Sequence, residues 1–214
     1  MIELFGHPFS SYTWKALIGL YEAGTPFTFR NIAGTEHPEN EAAFLAHWPV
    51  GKFPLLVDDG VPVMESSVIV EHVAPALIPA DREGAREARM LDRIFDNHVM
   101  TPVQAIIAEH LPFLTPRPDP ARIERARGAL GKAYTWLDAR LAGREWAAGD
   151  AFTLADCAGA PALFYADWAH SVGDGFAALK AYRARTLARG SVARCVEQAR
   201  PYRHLFPLGA PDRD

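Results

Sequence analysis

Hydrophobic and polar positions alternate in two different styles along the chain. In the first style, short apolar runs are separated by turn residues. Residues 2–5 form an apolar run stopped by Gly6-His7-Pro8, which reads as a strand. A helix is predicted over residues 11–23, ended by Gly24 with Pro26 behind it. Residues 27–31 alternate apolar and polar, as a strand does, and residues 37–47 read as a short helix around Pro38. Residues 54–57 and 61–64 flank Asp58-Asp59-Gly60, a hairpin signal. Residues 65–77 then read as a helix carrying apolar Val68, Ile69, Val73 and Leu77. The predicted order is βαβαββα.

Beyond residue 78 the pattern is helical throughout. A long helix is predicted over residues 83–111, kinked at Pro102. The run Thr115-Pro116-Arg117-Pro118-Asp119-Pro120 is a loop that no helix crosses. Further helices are expected over residues 121–141, from Thr153 onward, over 176–188 and over 191–200. Thr153 and Asp156 have the spacing of a capping box, with Phe152 and Cys157 placed as its hydrophobic staple. Composition shifts at the same place. Residues 1–78 hold three basic residues (Lys15, Arg30, Lys52) against nine acidic ones, and 8 alanines. Residues 79–214 hold 19 basic and 17 acidic residues and 28 alanines, which favours helix. The expected organisation is α+β: a domain over 1–78, a linker over 79–84 and an all-helical domain over 85–214.

Charge and cysteine usage narrow the chemistry. The chain of 214 residues carries a net charge of −4, which argues against a nucleic-acid partner. No apolar stretch is long enough to cross a membrane, and no secretory leader is visible at the start. Cys157 and Cys195 match neither a CxxC nor a zinc-ligand spacing, so no metal site is expected and a reducing, cytoplasmic setting is the simplest reading.

Three stretches carry a resemblance. The start, FGHPFSSYTWKALIGL, is similar in its FGHPxS portion to plant phi-class glutathione transferases and in its SSYTWK portion to the SSCSWR stretch of the zeta class. WPVGKFPLLVDDGVPVMESS is similar to the family's NPxGxVPxL…ESxxI pattern, and GDAFTLADC to the capping box of its sixth helix. The chain thus resembles a serine-type cytosolic glutathione S-transferase, with phi, zeta and theta-like features, over essentially its whole length. That resemblance implies a thioredoxin-like first domain, a helical second domain, glutathione as cosubstrate, a small hydrophobic electrophile, a role in detoxification and a homodimer.

The chemistry implied is attack by a thiolate. An ordinary thiol has a pKa of about 8.5, and lowering it by about two units takes about 2.7 kcal/mol. A hydroxyl donor at a helix N-terminus supplies this. Ser10 falls on the family's catalytic serine, with Ser11 and Tyr12 as competitors; a plain N-cap is the other reading. Tyr12 stands where the bacterial beta class and the zeta stretch have cysteine, which argues against disulfide-exchange chemistry. The resemblance implies a cis Pro54, which turns the Phe53 backbone toward the cysteinyl part of glutathione. It implies that Glu65 and Ser66 hold the γ-glutamyl end, where both residues also suit a helix cap. Lys52 is a candidate for the glycine carboxylate, His37 a weaker one, and Trp48 replaces the family's asparagine. Phe9, Tyr12, His110 and Phe113 are the electrophile-pocket candidates, while Tyr165 and Trp168 read as packing. Arg93 and Asp96 read as a solvated face by default, or as serving a dimer or the glutathione of the partner subunit. A glutathione-dependent isomerase or peroxidase, and a non-catalytic interaction module, are the alternatives.

Overall fold

The structure, a computed structural model, describes residues 1–32 and 37–214. The expected βαβαββα order is the observed one: β1 (Ile2–Gly6), α1 (Ser11–Ala23), β2 (Thr28–Asn31), α2 (Pro38–His47), β3 (Leu55–Asp58), β4 (Val61–Met64) and α3 (Ser66–Val73). The sheet order is β2-β1-β3-β4, with β1 parallel to β2 and the other two pairings antiparallel. Asp59 and Gly60 turn the β3–β4 hairpin, both at positive φ (47° and 85°), the backbone that a two-residue hairpin needs. The sequence predicts α3 to run to Leu77. It stops at Val73 instead, and a 3₁₀ turn covers Pro75–Leu77, because Pro75 has no N–H to continue the ladder.

The second half is helical: α4 (Arg82–Ile94), α5 (Thr101–Glu109), α6 (Pro120–Leu141), α7 (Leu154–Ala169), α8 (Ala177–Leu187) and α9 (Gly190–Ala199), closed by a 3₁₀ turn over Arg200–Leu205. The irregularity expected at Pro102 takes the form of a π-helical segment, Phe95–Met100, just ahead of it. There the Thr101 N–H reaches back to the Asp96 carbonyl, and the Thr101 hydroxyl donates to the same oxygen at 3.1 Å. Pro102 follows in a helix that runs on without a break, Met100 and Thr101 both keeping helical backbone angles, so the wider π register just ahead of it accommodates the ring and its missing N–H.

α7 is buried at every position from Leu154 to Ala169, so it is apolar on all faces rather than on one stripe. Its start is fixed by Asp156, whose carboxylate accepts from the Thr153 N–H (2.8 Å), the Ala147 N–H (2.9 Å) and the Tyr182 hydroxyl (2.7 Å). Burial pushes this carboxyl above its ordinary pKa, against those donors. Close packing requires Gly159: a Cβ there would lie 2.7 Å from the Tyr182 oxygen and 3.0 Å from the Phe95 ring.

α1 joins the halves, packing on α3 and on α7. Trp14, Leu17, Ile18 and Leu20 from α1 share one buried cluster with Phe95, Val103, Leu163 and Phe164. The Trp14 indole N–H donates to the Pro8 carbonyl (2.7 Å), which pins the loop between β1 and α1.

Candidate functional site

One large cavity of about 870 Å³ lies between the two halves. Its first wall is built from element ends: His7, Phe9 and Ser10 after β1, Ser11 and Tyr12 in the first turn of α1, Trp48 to Pro54 before β3, and Glu65-Ser66 at the start of α3. Its second wall comes from α4, the π segment and α5 (Arg93, Asp96, Asn97, Met100, Gln104, Ile107), then Leu111, Phe113, Tyr165 and the 205–207 segment.

Ser10 is the N-cap of α1. Its oxygen accepts from the Thr13 N–H at 3.3 Å, so capping uses a lone pair and leaves the hydroxyl proton free to donate. The two readings of Ser10 are therefore chemically compatible. Ser11 is buried beside it and also borders the cavity. His7 lies under this loop, with its ring 5.3 Å from Tyr202 and 6.5 Å from Phe53. Its Nδ1 accepts from the Phe9 N–H (3.0 Å), and burial lowers its pKa, so the ring is the neutral Nε2–H tautomer.

The Phe53–Pro54 peptide is cis. Phe53 is 39% exposed and Lys52 lies beside it at the cavity rim. Glu65 occupies φ +68°, a conformation rare for a residue with a Cβ, at the N-cap of α3. Among the described residues, neither Glu65 nor Lys52 has an ion-pair partner. Ser66 follows as the first residue of α3 and is buried.

The structure brings Ser10, Lys52, Phe53, Pro54, Glu65 and Ser66 to one cavity, together with Phe9, Tyr12 and Phe113. His110 does not line it: its Nδ1–H donates to the Ile106 carbonyl (2.8 Å) at the exposed end of α5. His37 also lies outside, 3.2 Å from Glu39. Trp48 lines the cavity and packs on the smaller cluster of Phe5, Phe44, Leu55 and Val57. Tyr165, read from the sequence as packing, both packs and borders the cavity, and its hydroxyl donates to the Phe9 carbonyl (2.9 Å).

The solvated face expected for Arg93 and Asp96 is overturned for the acid. Asp96 is 6% exposed and Asp92 2%, and both pair with Lys15, itself 1% exposed. Lys15 Nζ lies 2.8 Å from Asp96 Oδ2 and 2.8 Å from the Ser67 hydroxyl. Arg93 closes the group, 2.6 Å from Asp96 and 2.7 Å from Asp92. Two cations face two carboxylates, so the buried charge balances. Burial raises the Asp96 carboxyl, with Lys15 and Arg93 opposing the rise. Sequence reasoning missed this joint. Its signature was present: a lone lysine inside an apolar helix, and two aspartates four residues apart. Burial, with Asp96 next, pushes the Tyr12 phenol up to about 12.

Among the described residues no group of three His, Cys, Asp or Glu could hold a metal ion, and no helix is long and apolar enough to cross a membrane.

Comparison with known proteins gives a consistent picture. A family model for the glutathione S-transferase N-terminal domain matches residues 4–76, and one for the C-terminal domain matches residues 103–189. Glutathione S-transferase 3 of Zea mays is 30% identical over 164 residues, covering 72% of this chain and 73% of that protein. Glutathione S-transferase GstB of Escherichia coli is 30% identical over 174 residues, covering 77% and 82%. Among solved structures, a glutathione S-transferase of Methylobacillus flagellatus with glutathione bound superposes with a TM-score of 0.79 at 24% identity, over 91% of this chain and 98% of that one. A glutathione S-transferase of Rhodospirillum rubrum gives 0.75 at 25% identity, over 91% of each chain.

Proposed function

The chain belongs to the glutathione S-transferase family, and from that premise we propose that its cavity binds glutathione, ionises the thiol through Ser10 and transfers it to a small hydrophobic electrophile. The observation that carries this reading is the Ser10 hydroxyl. It caps α1 with a lone pair, keeps its proton, and opens on the same cavity as Glu65, Ser66 and Phe53.

Glutathione is held by its ends. The α-carboxylate of the γ-glutamyl group sits at the α3 N-terminus, on Ser66 and the free backbone N–H groups. Its ammonium meets the unpaired Glu65 carboxylate. The Phe53 backbone pairs with the cysteinyl peptide, and Lys52 faces the glycine carboxylate. The thiol then lies over the first turn of α1. There the Ser10 O–H donates to sulfur, and the positive end of the helix adds to it, favouring the thiolate. Ser10 is neither base nor nucleophile; the thiol proton leaves to solvent. Apolar side chains of the second wall (Met100, Ile107, Leu111 and Phe206) receive the electrophile. A homodimer in a reducing cytoplasm completes the reading.

Ser10→Ala tests it. Turnover should fall by one to several orders of magnitude while glutathione affinity stays nearly unchanged, and proton release on binding, read by calorimetry in two buffers, should vanish. Unchanged turnover and unchanged proton release would remove Ser10 from the mechanism. A chain that binds no glutathione at millimolar concentration would remove the whole reading.

A further inference from the structure

The two peptide groups that lead into Ser10 are held at both ends. In the Pro8–Phe9 peptide, the carbonyl accepts from the Trp14 indole (2.7 Å) and the N–H donates to His7 Nδ1 (3.0 Å). In the Phe9–Ser10 peptide, the N–H donates to the His7 carbonyl (3.0 Å) and the carbonyl accepts from the Tyr165 hydroxyl (2.9 Å). A peptide group is planar, so bonds at both of its ends fix how it is turned. The Thr13 N–H, bonded to the Ser10 oxygen, then fixes the side-chain rotamer. Rotation of the Ser10 O–H is the freedom that remains.

One member of this set differs from the others. His7, Thr13 and Trp14 are neighbours of Ser10 in sequence, whereas Tyr165 comes from α7, 156 positions beyond Phe9. Its ring is 3% exposed and packs edge-on against Phe9, with centroids 5.3 Å apart, and against Trp14 (5.4 Å) and Trp168 (6.1 Å). Close packing on these sides holds the hydroxyl in one place. Burial pushes the phenol far above its ordinary pKa, so it stays protonated and donates. Tyr165 also borders the cavity on its second wall, with Phe206 stacked 6.4 Å away.

Resting on the Ser10 reading above, we propose that Tyr165 is a positioning residue for the thiol chemistry: its hydroxyl locks the Phe9–Ser10 peptide so that the Ser10 O–H meets the glutathione sulfur. The hydroxyl that ionises the thiol belongs to the first half of the chain, and its aim is set from the second. Tyr165 acts through Ser10 and not on the sulfur, because its own proton is engaged by the Phe9 carbonyl. The N–Cα bond of Ser10 starts in the locked plane, so a plane free to turn lets the side chain shift against the cavity. A displacement of about 1 Å at a catalytic group costs up to roughly 100-fold in rate. A bond that served folding alone would leave the thiol pKa where it is.

The test reads the pKa of the glutathione thiol in the complex, from the ultraviolet absorbance of the thiolate across a pH titration. Tyr165→Phe keeps the ring and removes the donor. It should raise that pKa by about one unit or more and lower kcat/KM roughly fivefold or more at about pH 6.5, with glutathione affinity within about threefold of wild type. The rate gap should close at about pH 9.5, where the thiol ionises unaided. 4-Aminophenylalanine at position 165 returns a donor and should bring the pKa back to within about 0.3 units of wild type. In a Ser10→Ala background, Tyr165→Phe should move the pKa no further. If the melting temperature shows that Tyr165→Phe does not fold, 4-fluorophenylalanine at position 165, which fills the oxygen's place without a proton to donate, is read instead. A lower melting temperature with an unchanged thiol pKa overturns the proposal, as does a shift that 4-aminophenylalanine fails to reverse or that persists in the Ser10→Ala background. A wild-type complex whose thiol pKa is insensitive to Ser10→Ala overturns the Ser10 reading and this one with it. Calorimetric absence of glutathione binding to wild type is the separate result that would remove the site altogether.

Discussion

The two walls of the cavity are built on different principles. The first wall is polar and made from ends: a helix N-cap, the residues before a strand, the opening of α3. Backbone groups there are unpaired by the geometry of the element, so recognition of a peptide-like molecule needs few side chains. The second wall is made from the sides of helices and from the 205–207 segment, and it offers mainly apolar side chains. A wall of ends fixes a ligand of defined shape, whereas a wall of sides fixes volume and polarity. In the proposed reading, the first wall is strict toward glutathione and the second permissive toward the electrophile.

The largest expected effect comes from the joint that holds the walls together. Lys15→Met leaves Asp92 and Asp96 buried without their ammonium, and should cost about 3–5 kcal/mol in denaturant unfolding. Adding Asp96→Asn should recover part of the loss; if the double variant is as unstable as the sum, the pairing account fails.

An intermediate effect separates the walls by their ligands. Glu65→Ala should weaken glutathione binding by roughly tenfold or more and leave kcat at saturating glutathione within a few-fold. Phe113→Ala, at a residue 79% exposed at the cavity mouth, should instead raise KM for the electrophile by a few-fold without altering glutathione affinity. If either variant moves both affinities together, the division between walls is wrong.

The smallest effect tests a second joint, at the surface. Arg189 holds Glu22 with two bonds, Nε to Oε1 at 2.7 Å and Nη2 to Oε2 at 2.6 Å, tying α1 to the start of α9. Burial alone would raise this carboxyl, but Arg189 and Ser191 outweigh it and the net shift is downward. A lowered folded-state pKa adds stability above the ordinary carboxylate value, and that stability is lost as pH falls through the folded value. Glu22→Gln should therefore cost on the order of 1 kcal/mol near pH 7. The gap from wild type should close in acid, and a gap that widens in acid would contradict the pairing.

The first wall was legible through the resemblance to glutathione transferases, which singles out Ser10, Lys52, Phe53, Pro54, Glu65 and Ser66, while local signals alone read as caps and turns. Ser10 announces a helix start, and Asp59-Gly60 announces a hairpin; Pro54 and Glu65-Ser66 sit beside such signals. The fold was legible from these local signals, down to the Thr153–Asp156 spacing that opens α7. The second wall spreads from Arg93 to Pro207, and each member reads in sequence as ordinary helix or tail. His110 shows the limit: its position suggests a pocket, but α5 ends by turning the imidazole back onto its own backbone. The π segment was equally hidden. Pro102 marks where the helix is irregular but not how, since a kink and an inserted residue relieve the same clash.

α1 carries a cation whose counter-charges all lie beyond residue 66, and it is packed on both sides, by α3 and by α7. Neither half of the chain is therefore electrostatically complete without the other. A replacement second half would have to bring aspartates in register with Lys15, or the lysine would be stranded in an apolar core. The seam between the two halves rests on paired buried charges, so a change there strands a charge, whereas a change among the apolar side chains of the second wall alters only volume and polarity.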